Sequence, residues 1–515
     1  MKNYPDIVLL VLDTQRVDRL GCYGYDRPVS PCLDALAERS IRYTQAVSPA
    51  QWTLPAHASL LTGLYPSQHT VTQHNSVLPS GMLVLTERLH KAGYYNALLS
   101  NNPFVGAMNN GLRRGFDRVV NYSYIGSGLW TSNFQEVDES SSRWRRWRLQ
   151  MRQRVARWLG LDTSHTSRCF GSAFTVTMEY LLRFRGGSKL YNTRRTLDQA
   201  ADLLIHRRGV STSHRPIFTL INLMGTHIPY APPRWAAERF VSPEWKPKHI
   251  REYLHQANAV GLDIVNWIET NLPQSECQTL LGGFYDAEVF AQDAQIGYFL
   301  NRLQKAGVND NLWLIVVADH GEYLGEKQRL NHIFGAYQPL AHVPLLIQGP
   351  GRKMQQERVV TSFVSTRRIF HTILDIVGLA TAEDASLSLL QPDSNMDQES
   401  AVFCEAESPQ WVTTRLARIA IEANVLEKSQ RRVRAIYAND YKLISDQHTY
   451  EVYEVRRDPQ ERHDLSILDI KTTEQLTHML QVFSDNVDAA TEKRSFSTEE
   501  DPNVLQRLKD LGYWE

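Results

Sequence analysis

Residues 7–16 read IVLLVLDTQR: six apolar residues in a row, then a carboxylate. An uninterrupted apolar run of this length, without polar alternation, is what a parallel strand buried on both faces requires. A second run, LWLIVV (312–317), repeats the pattern and leads into ADHGE, and PIFTLINLM (216–224) reads as another inner strand. Helix-like stretches separate them: SPCLDALAERS (30–40), LTERLHKAGY (85–94), TLDQAADLLIHRR (196–208), YDAEVFAQDAQIGYFLNRLQKAG (285–307) and, later, RRIFHTILDIVGL (367–379). Strands alternating with helices predict an α/β fold whose sheet is covered on both faces.

Beyond residue 380 the pattern changes. The polar stretch up to residue 400 reads as a linker, and RAIYANDYKLISD and TYEVYEV then alternate as antiparallel hairpin strands do. This predicts residues 1–380 as the main domain, 381–400 as linker and 401–515 as a small α+β domain ending in a helix.

The composition excludes several classes. The 515 residues are 42% hydrophobic and 22% charged, with 56 basic and 56 acidic side chains. A net charge near zero gives no reason to expect a nucleic-acid partner. Five scattered cysteines without a CxxC pair argue against a thiolate metal site and fit a reducing compartment. No 18-residue apolar run exists and residue 1 leads straight to a strand pattern, so the expected location is cytoplasmic. One insertion, about 138–170, stands out. Within it RWRRWRLQMRQRVARWL (143–159) places Trp144, Trp147, Met151, Val155 and Trp158 on one helical stripe among seven arginines. Such a helix either lies peripherally at an anionic membrane or packs its tryptophans on the main domain.

The chemistry-bearing residues fall at predicted strand ends, where open α/β sheets bind ligands. Asp13 follows the first strand, and Asp319 and His320 follow the run at 312–317. Two carboxylates and an imidazole suit one divalent ion, Zn, Mn, Ca or Mg, although an aspartate after a strand also serves as a helix cap. QWTLPAHASLLTG (51–63) sets Thr53 where the chain turns into a helix, whose N-terminal N–H groups and partial positive charge suit an anion. From this stretch alone, Thr53 is either a nucleophile beside that anion or an N-cap.

Together, Asp13, TxPxHxSLxTG, THIPY (226–230), the DAE and DAQIG segment, ADHGEYLGE…NH…HVPLLIQGPG and YEVYEVRRDPQERHDLS (450–466) resemble the sulfatase family of the alkaline-phosphatase superfamily. The resemblance implies a large, mixed, mostly parallel sheet sandwiched by helices, with a small C-terminal antiparallel sheet domain. It implies Asp13, Asp319, His320 and Thr53 as metal ligands, and Thr53 as nucleophile. It further implies His227 at the ester or its leaving group and His332 near the transferring group's oxygens.

The chain also departs from the family pattern. Thr53 occupies the position that sulfatases mature from Cys or Ser to formylglycine, and His57 replaces an arginine. Asn101 and Asn102, in LLSNNPF, are the polar residues where a lysine–histidine pair is expected, and Thr14 stands where many members carry another carboxylate. With His57, Asn101 and Asn102 as substrate-binding candidates, the expectation is an enzyme acting on anionic esters through a metal-activated Thr53, with phosphate or phosphonate esters favoured over sulfates. A true sulfuric ester hydrolase and a silent anion-binding relative are the alternatives.

Overall fold

The computed structural model describes residues 4–73, 76–122, 130–131, 188–207, 215–228, 230–242, 274–332, 334–350, 358–391, 401–408, 430–446 and 448–492, with isolated positions between them. The basic tryptophan stretch at 143–159 lies outside the described residues.

Ten strands build the main sheet: β1 (Asp6–Leu12), β2 (Ile41–Val47), β3 (Tyr95–Ser100), β4 (Arg118–Asn121), β5 (Trp130–Thr131), β6 (Ile217–Leu223), β7 (Leu312–Val317), then, after the short hairpin β8 (Tyr323–Leu324) and β9 (Leu330–Asn331), β10 (His342–Gln348), β11 (Arg358–Val360) and β12 (Val364–Ser365). Their order is β11-β2-β10-β7-β1-β6-β3-β4-β5, with β12 also on β2. Strands β7, β1, β6, β3 and β4 are parallel neighbours, while β10 runs antiparallel to both β7 and β2. Strand β2 therefore points the same way as β7, so β2, β7, β1, β6 and β3 all deliver their carboxyl ends to one edge.

The apolar run of β1 follows from its place at the centre of this sheet. Val8, Leu10 and Leu12 enter the core on one face, and Ile7, Leu9 and Val11 enter the core on the other. With both faces covered by helices, the six positions 7–12 are all apolar, and the one polar residue of the strand, Asp6 at its start, is paired with Arg207 and the Ile217 N–H. Each of these side chains contributes about 1.5–3 kcal/mol by leaving water.

The helix read at 285–307 begins much earlier, at Gln274, and runs to Lys305. The Gly282–Gly283 pair hides this in the sequence, because glycine weakens a helix by roughly 1 kcal/mol relative to alanine. Packing supplies the reason: a Cβ on Gly283 would lie 2.9 Å from the Phe240 carbonyl oxygen. The helix predicted at 196–208 likewise starts earlier, spanning Ser188–His206.

A four-stranded antiparallel sheet, β13 (Val402–Ala406), β14 (Val433–Ala438), β15 (Tyr441–Ser445) and β16 (Tyr450–Glu454), follows the main sheet, and a helix from Ile470 to Glu492 packs on it. Its first strand reaches back to the main sheet, with Glu405 N–H donating to the Pro49 carbonyl. The start of the segment read as a linker is structured. Thr381 caps a short helix, Ala382–Ser386, Asp384 meets His371 at 2.8 Å, and Leu389 is fully buried. Among the described residues no helix is long and apolar enough to cross a membrane, and Cys22, Cys32 and Cys404 form no disulfide.

Candidate active site

Five strand ends converge on one buried cluster. Asp13 leaves β1, with its N–H donating to the Leu223 carbonyl at the end of β6 and its own carbonyl accepting from the Thr226 hydroxyl at 2.6 Å. Asp319 leaves β7 and its carbonyl accepts from the Ser48 hydroxyl beyond β2. Both carboxylates and His320 are fully or almost fully buried.

Each carboxylate has one oxygen anchored and one without a donor. Asp13 Oδ2 accepts from the Asn102 amide at 2.7 Å and the Asn222 amide at 3.4 Å, and Asp319 Oδ1 accepts from the N–H groups of Thr14 (3.2 Å) and His320 (2.9 Å). Asp13 Oδ1 and Asp319 Oδ2 have no hydrogen-bond partner. His320 Nε2 lies 3.8 Å from the first and 3.6 Å from the second. Its Nδ1 sits 2.9 Å from the Gly321 carbonyl, which assigns the proton to Nδ1 and leaves Nε2 as a lone-pair donor. Two orphaned buried carboxylate oxygens and an imidazole lone pair, all within 4.8 Å of one another, fit one divalent cation, because an unpaired buried carboxylate is otherwise expensive.

The electrostatics agree with that fit. Burial and then the Asp13 carboxylate push Asp319 well above the usual carboxylate range, and burial followed by the nearby His332 pushes His320 well below the usual imidazole value. A cation at this point would favour the ionised carboxylates and the neutral imidazole alike.

Thr53 is the first residue of the helix Thr53–Thr62, with Trp52 as its N-cap residue. The N-cap alternative therefore does not describe its hydroxyl. Thr53 Oγ1 instead lies 3.4 Å from His320 Nε2 and 3.3 Å from the Asn102 amide nitrogen, facing the carboxylate cluster. Asn102 thus bridges Asp13 and Thr53.

The other candidates divide. His57 is fully buried, with Nδ1 2.9 Å from the Thr53 carbonyl and Nε2 3.4 Å from Asn222, and burial lowers its pKa. It lies one helical turn beyond Thr53, and burial disfavours its charged form. Asn101 turns elsewhere: its amide donates to the Thr196 hydroxyl at 2.9 Å, whereas the amide of Asn102 reaches Asp13. His227 and His332 meet edge to face, 4.9 Å between ring centres, and His332 also lies 4.6 Å from His320. Both histidines are half-buried, so they form the mouth.

Two contributors were missed by sequence reasoning. Asn222 lies inside an apolar strand run, where only its polarity signalled a role. Glu322 ends the ADHGE motif without an obvious partner in the sequence, yet it is fully buried against His332.

A mixed sheet sandwiched by helices, carrying Asp, Asp and His at the carboxyl ends of its strands beside a hydroxyl at a helix start, is the arrangement that the resemblance to the alkaline-phosphatase superfamily implies. Residues 5–379 match the family model described as Sulfatase, and the chain belongs to the sulfatase family. It is 24% identical over 405 residues to the ulvan-active sulfatase of Formosa agariphila, covering 78% of this chain and 68% of that one. It is 23% identical over 396 residues to the choline-sulfatase of Rhizobium meliloti, covering 74% and 69%. Among solved structures it resembles the phosphonate monoester hydrolase of Agrobacterium radiobacter, with a TM-score of 0.63 at 18% identity over 94% of this chain and 96% of that one.

Proposed function

We propose that the protein is a metal-dependent hydrolase or transferase of anionic esters that uses Thr53 as its nucleophile and prefers phosphate or phosphonate esters to sulfates. The single observation supporting this is the Thr53 hydroxyl facing His320 Nε2 and Asn102 beside the two orphaned carboxylate oxygens. Asp13, Asp319 and His320 would hold a divalent ion, which when bound supplies Lewis-acid charge that lowers the pKa of a neighbouring hydroxyl and neutralises ester oxygens.

The chain's own residues account for the rest. Asn102 orients the Thr53 hydroxyl, whose proton leaves to solvent water while its oxygen attacks phosphorus in line and the bond to the alcohol breaks. His227 at the mouth gives the departing alkoxide its proton, and His332 faces the transferring group's charged oxygens. The threonine ester then breaks by a second displacement, in which water or an acceptor alcohol attacks phosphorus and returns the hydroxyl to Thr53. Formylglycine hydrates expel sulfate by elimination, an exit that threonine lacks. This need for a second displacement favours phosphoryl centres.

The names of the curated relatives favour the second reading, a sulfuric ester hydrolase. Matched nitrophenyl esters that differ only in the transferred group separate the two, because the shared leaving group isolates that difference in kcat/KM. Higher kcat/KM on a phosphate diester or phosphonate monoester supports the proposal. A clear preference for the sulfate overturns the preference while keeping Thr53. Absence of turnover together with absence of stoichiometric metal identifies a silent relative.

A further inference from the structure

We infer that Glu322 is a positioning residue that sets both histidines at the mouth of the site, a role that rests on the ester-transfer reading above. Its carboxylate is fully buried, and its two oxygens take one donor from each side. Oε1 lies 2.8 Å from His332 Nδ1, and Oε2 accepts from the Ile228 N–H at 3.3 Å. Ile228 directly follows His227. One carboxylate therefore ties the hairpin end carrying His332 to the loop carrying His227.

The main chain that carries this carboxylate is fixed on both sides. The Glu322 N–H donates to the Pro339 carbonyl at 3.1 Å, and its carbonyl accepts from Arg16 Nη1 at 3.1 Å. A carboxylate only accepts hydrogen bonds, so its contact with His332 places that ring's proton on Nδ1 and leaves Nε2 for a reacting oxygen. The rings of His332 and His227, 4.9 Å apart, are thereby held at one spacing.

The chemistry of the two partners makes glutamate necessary. Both are N–H donors, and a glutamine could present its carbonyl to one while its NH2 group faced the other. Glu322→Gln should therefore loosen one histidine without disturbing the metal ligands.

Two measurements test this. In the 15N-imidazole NMR spectrum of the full chain, with His332 assigned by its absence in His332→Ala, the His332 ring should carry its proton on Nδ1, and Glu322→Ala should lose that signature. In kinetics on a nitrophenyl phosphonate, Glu322→Gln should lower kcat by about 10–100-fold with KM and metal content near the parent's, and should have a smaller effect in a His332→Ala background, where only the His227 side is left to loosen. An unchanged Nδ1–H signature in Glu322→Ala overturns the inference. So does a kinetic loss of equal size with and without His332, or a loss of metal in Glu322→Gln. A parent that cleaves no ester sinks the ester-transfer reading instead, and the tautomer measurement then decides the role of Glu322 alone.

Discussion

Asp13 and Asp319 each spend one oxygen on fixed donors and leave the other bare, and that asymmetry is the most informative feature at the scale of single residues. Among the described residues the cluster brings together two carboxylates and one histidine, so losing one carboxylate removes charge and a donor together. Asp13→Ala and Asp319→Ala should each abolish stoichiometric metal, measured by elemental analysis of purified protein; full occupancy in both would refute the assignment. The nucleophile is tested separately. Intact mass should show Thr53 unmodified, Thr53→Ala should lose at least about 100-fold in kcat, and Thr53→Ser should retain part of it because the hydroxyl remains. Equal rates for Thr53→Ala and the parent would make water the attacking group.

At the scale of elements, the turn after β7 owes its shape to one glycine. A Cβ on Gly321 would sit 1.9 Å from the Pro339 carbonyl oxygen in the short helix Gln338–Ala341, and this loop carries both Asp319 and His320. Gly321→Ala should therefore weaken metal retention in dialysis as well as stability, whereas the fully open Gly81→Ala should leave both unchanged. The helix of Thr53 has its own device. His69, fully buried, accepts from the Val71 N–H at Nδ1 and meets the Ser59 hydroxyl at Nε2, 3.0 Å away, so both nitrogens are satisfied only in the neutral ring. Burial lowers its pKa to about 3. The unfolded chain takes up a proton near pH 6.5, while the folded protein refuses it until about 3. Stability should thus fall as pH drops from about 6.5 towards 3, by up to roughly 1.4 kcal/mol per pH unit. Denaturant unfolding at pH 7 and pH 5 should show a steeper loss for the parent than for His69→Gln; equal slopes would count against this account.

Across the whole molecule, the small sheet supports the site through one buried ion pair. Lys442 on β15 meets Glu461 at 2.6 Å with neither side chain exposed, and burial lowers the lysine's pKa and raises the glutamate's against their mutual attraction. Glu461 also accepts from the Gln338 N–H at 2.8 Å, opening the helix whose Pro339 and Leu340 carbonyls hold Glu322 and Gly321. Its carbonyl meets Lys327 in the turn of the hairpin leading to His332. Removing one partner strands the other charge, so Lys442→Met should cost about 3–5 kcal/mol, and adding Glu461→Gln should recover much of it. Thermal melts of the single and double variants measure this; a single variant as stable as the parent would discount the pair as a docking element.

Local pattern alone was enough for the strands flanking Asp13 and Asp319, the ordered motifs and the family they resemble, because continuous apolar runs and strand-end carboxylates are properties of neighbouring residues. It did not reach the first part of the helix Gln274–Lys305, before residue 285, where glycines demanded by close packing weaken the local signal. Nor could it choose between Asn101 and Asn102 as the neighbour of Asp13, or tell whether the Thr53 hydroxyl caps its helix or faces the carboxylates. Those choices depend on which way a side chain leaves its strand end and on what stands opposite, and the residues opposite lie 49 to 267 positions away along the chain. Glu322 is the plainest case. Its partners His332 and Ile228 belong to different loops, and only the packing of β6 beside β1 and of β1 beside β7 brings both donors to one carboxylate.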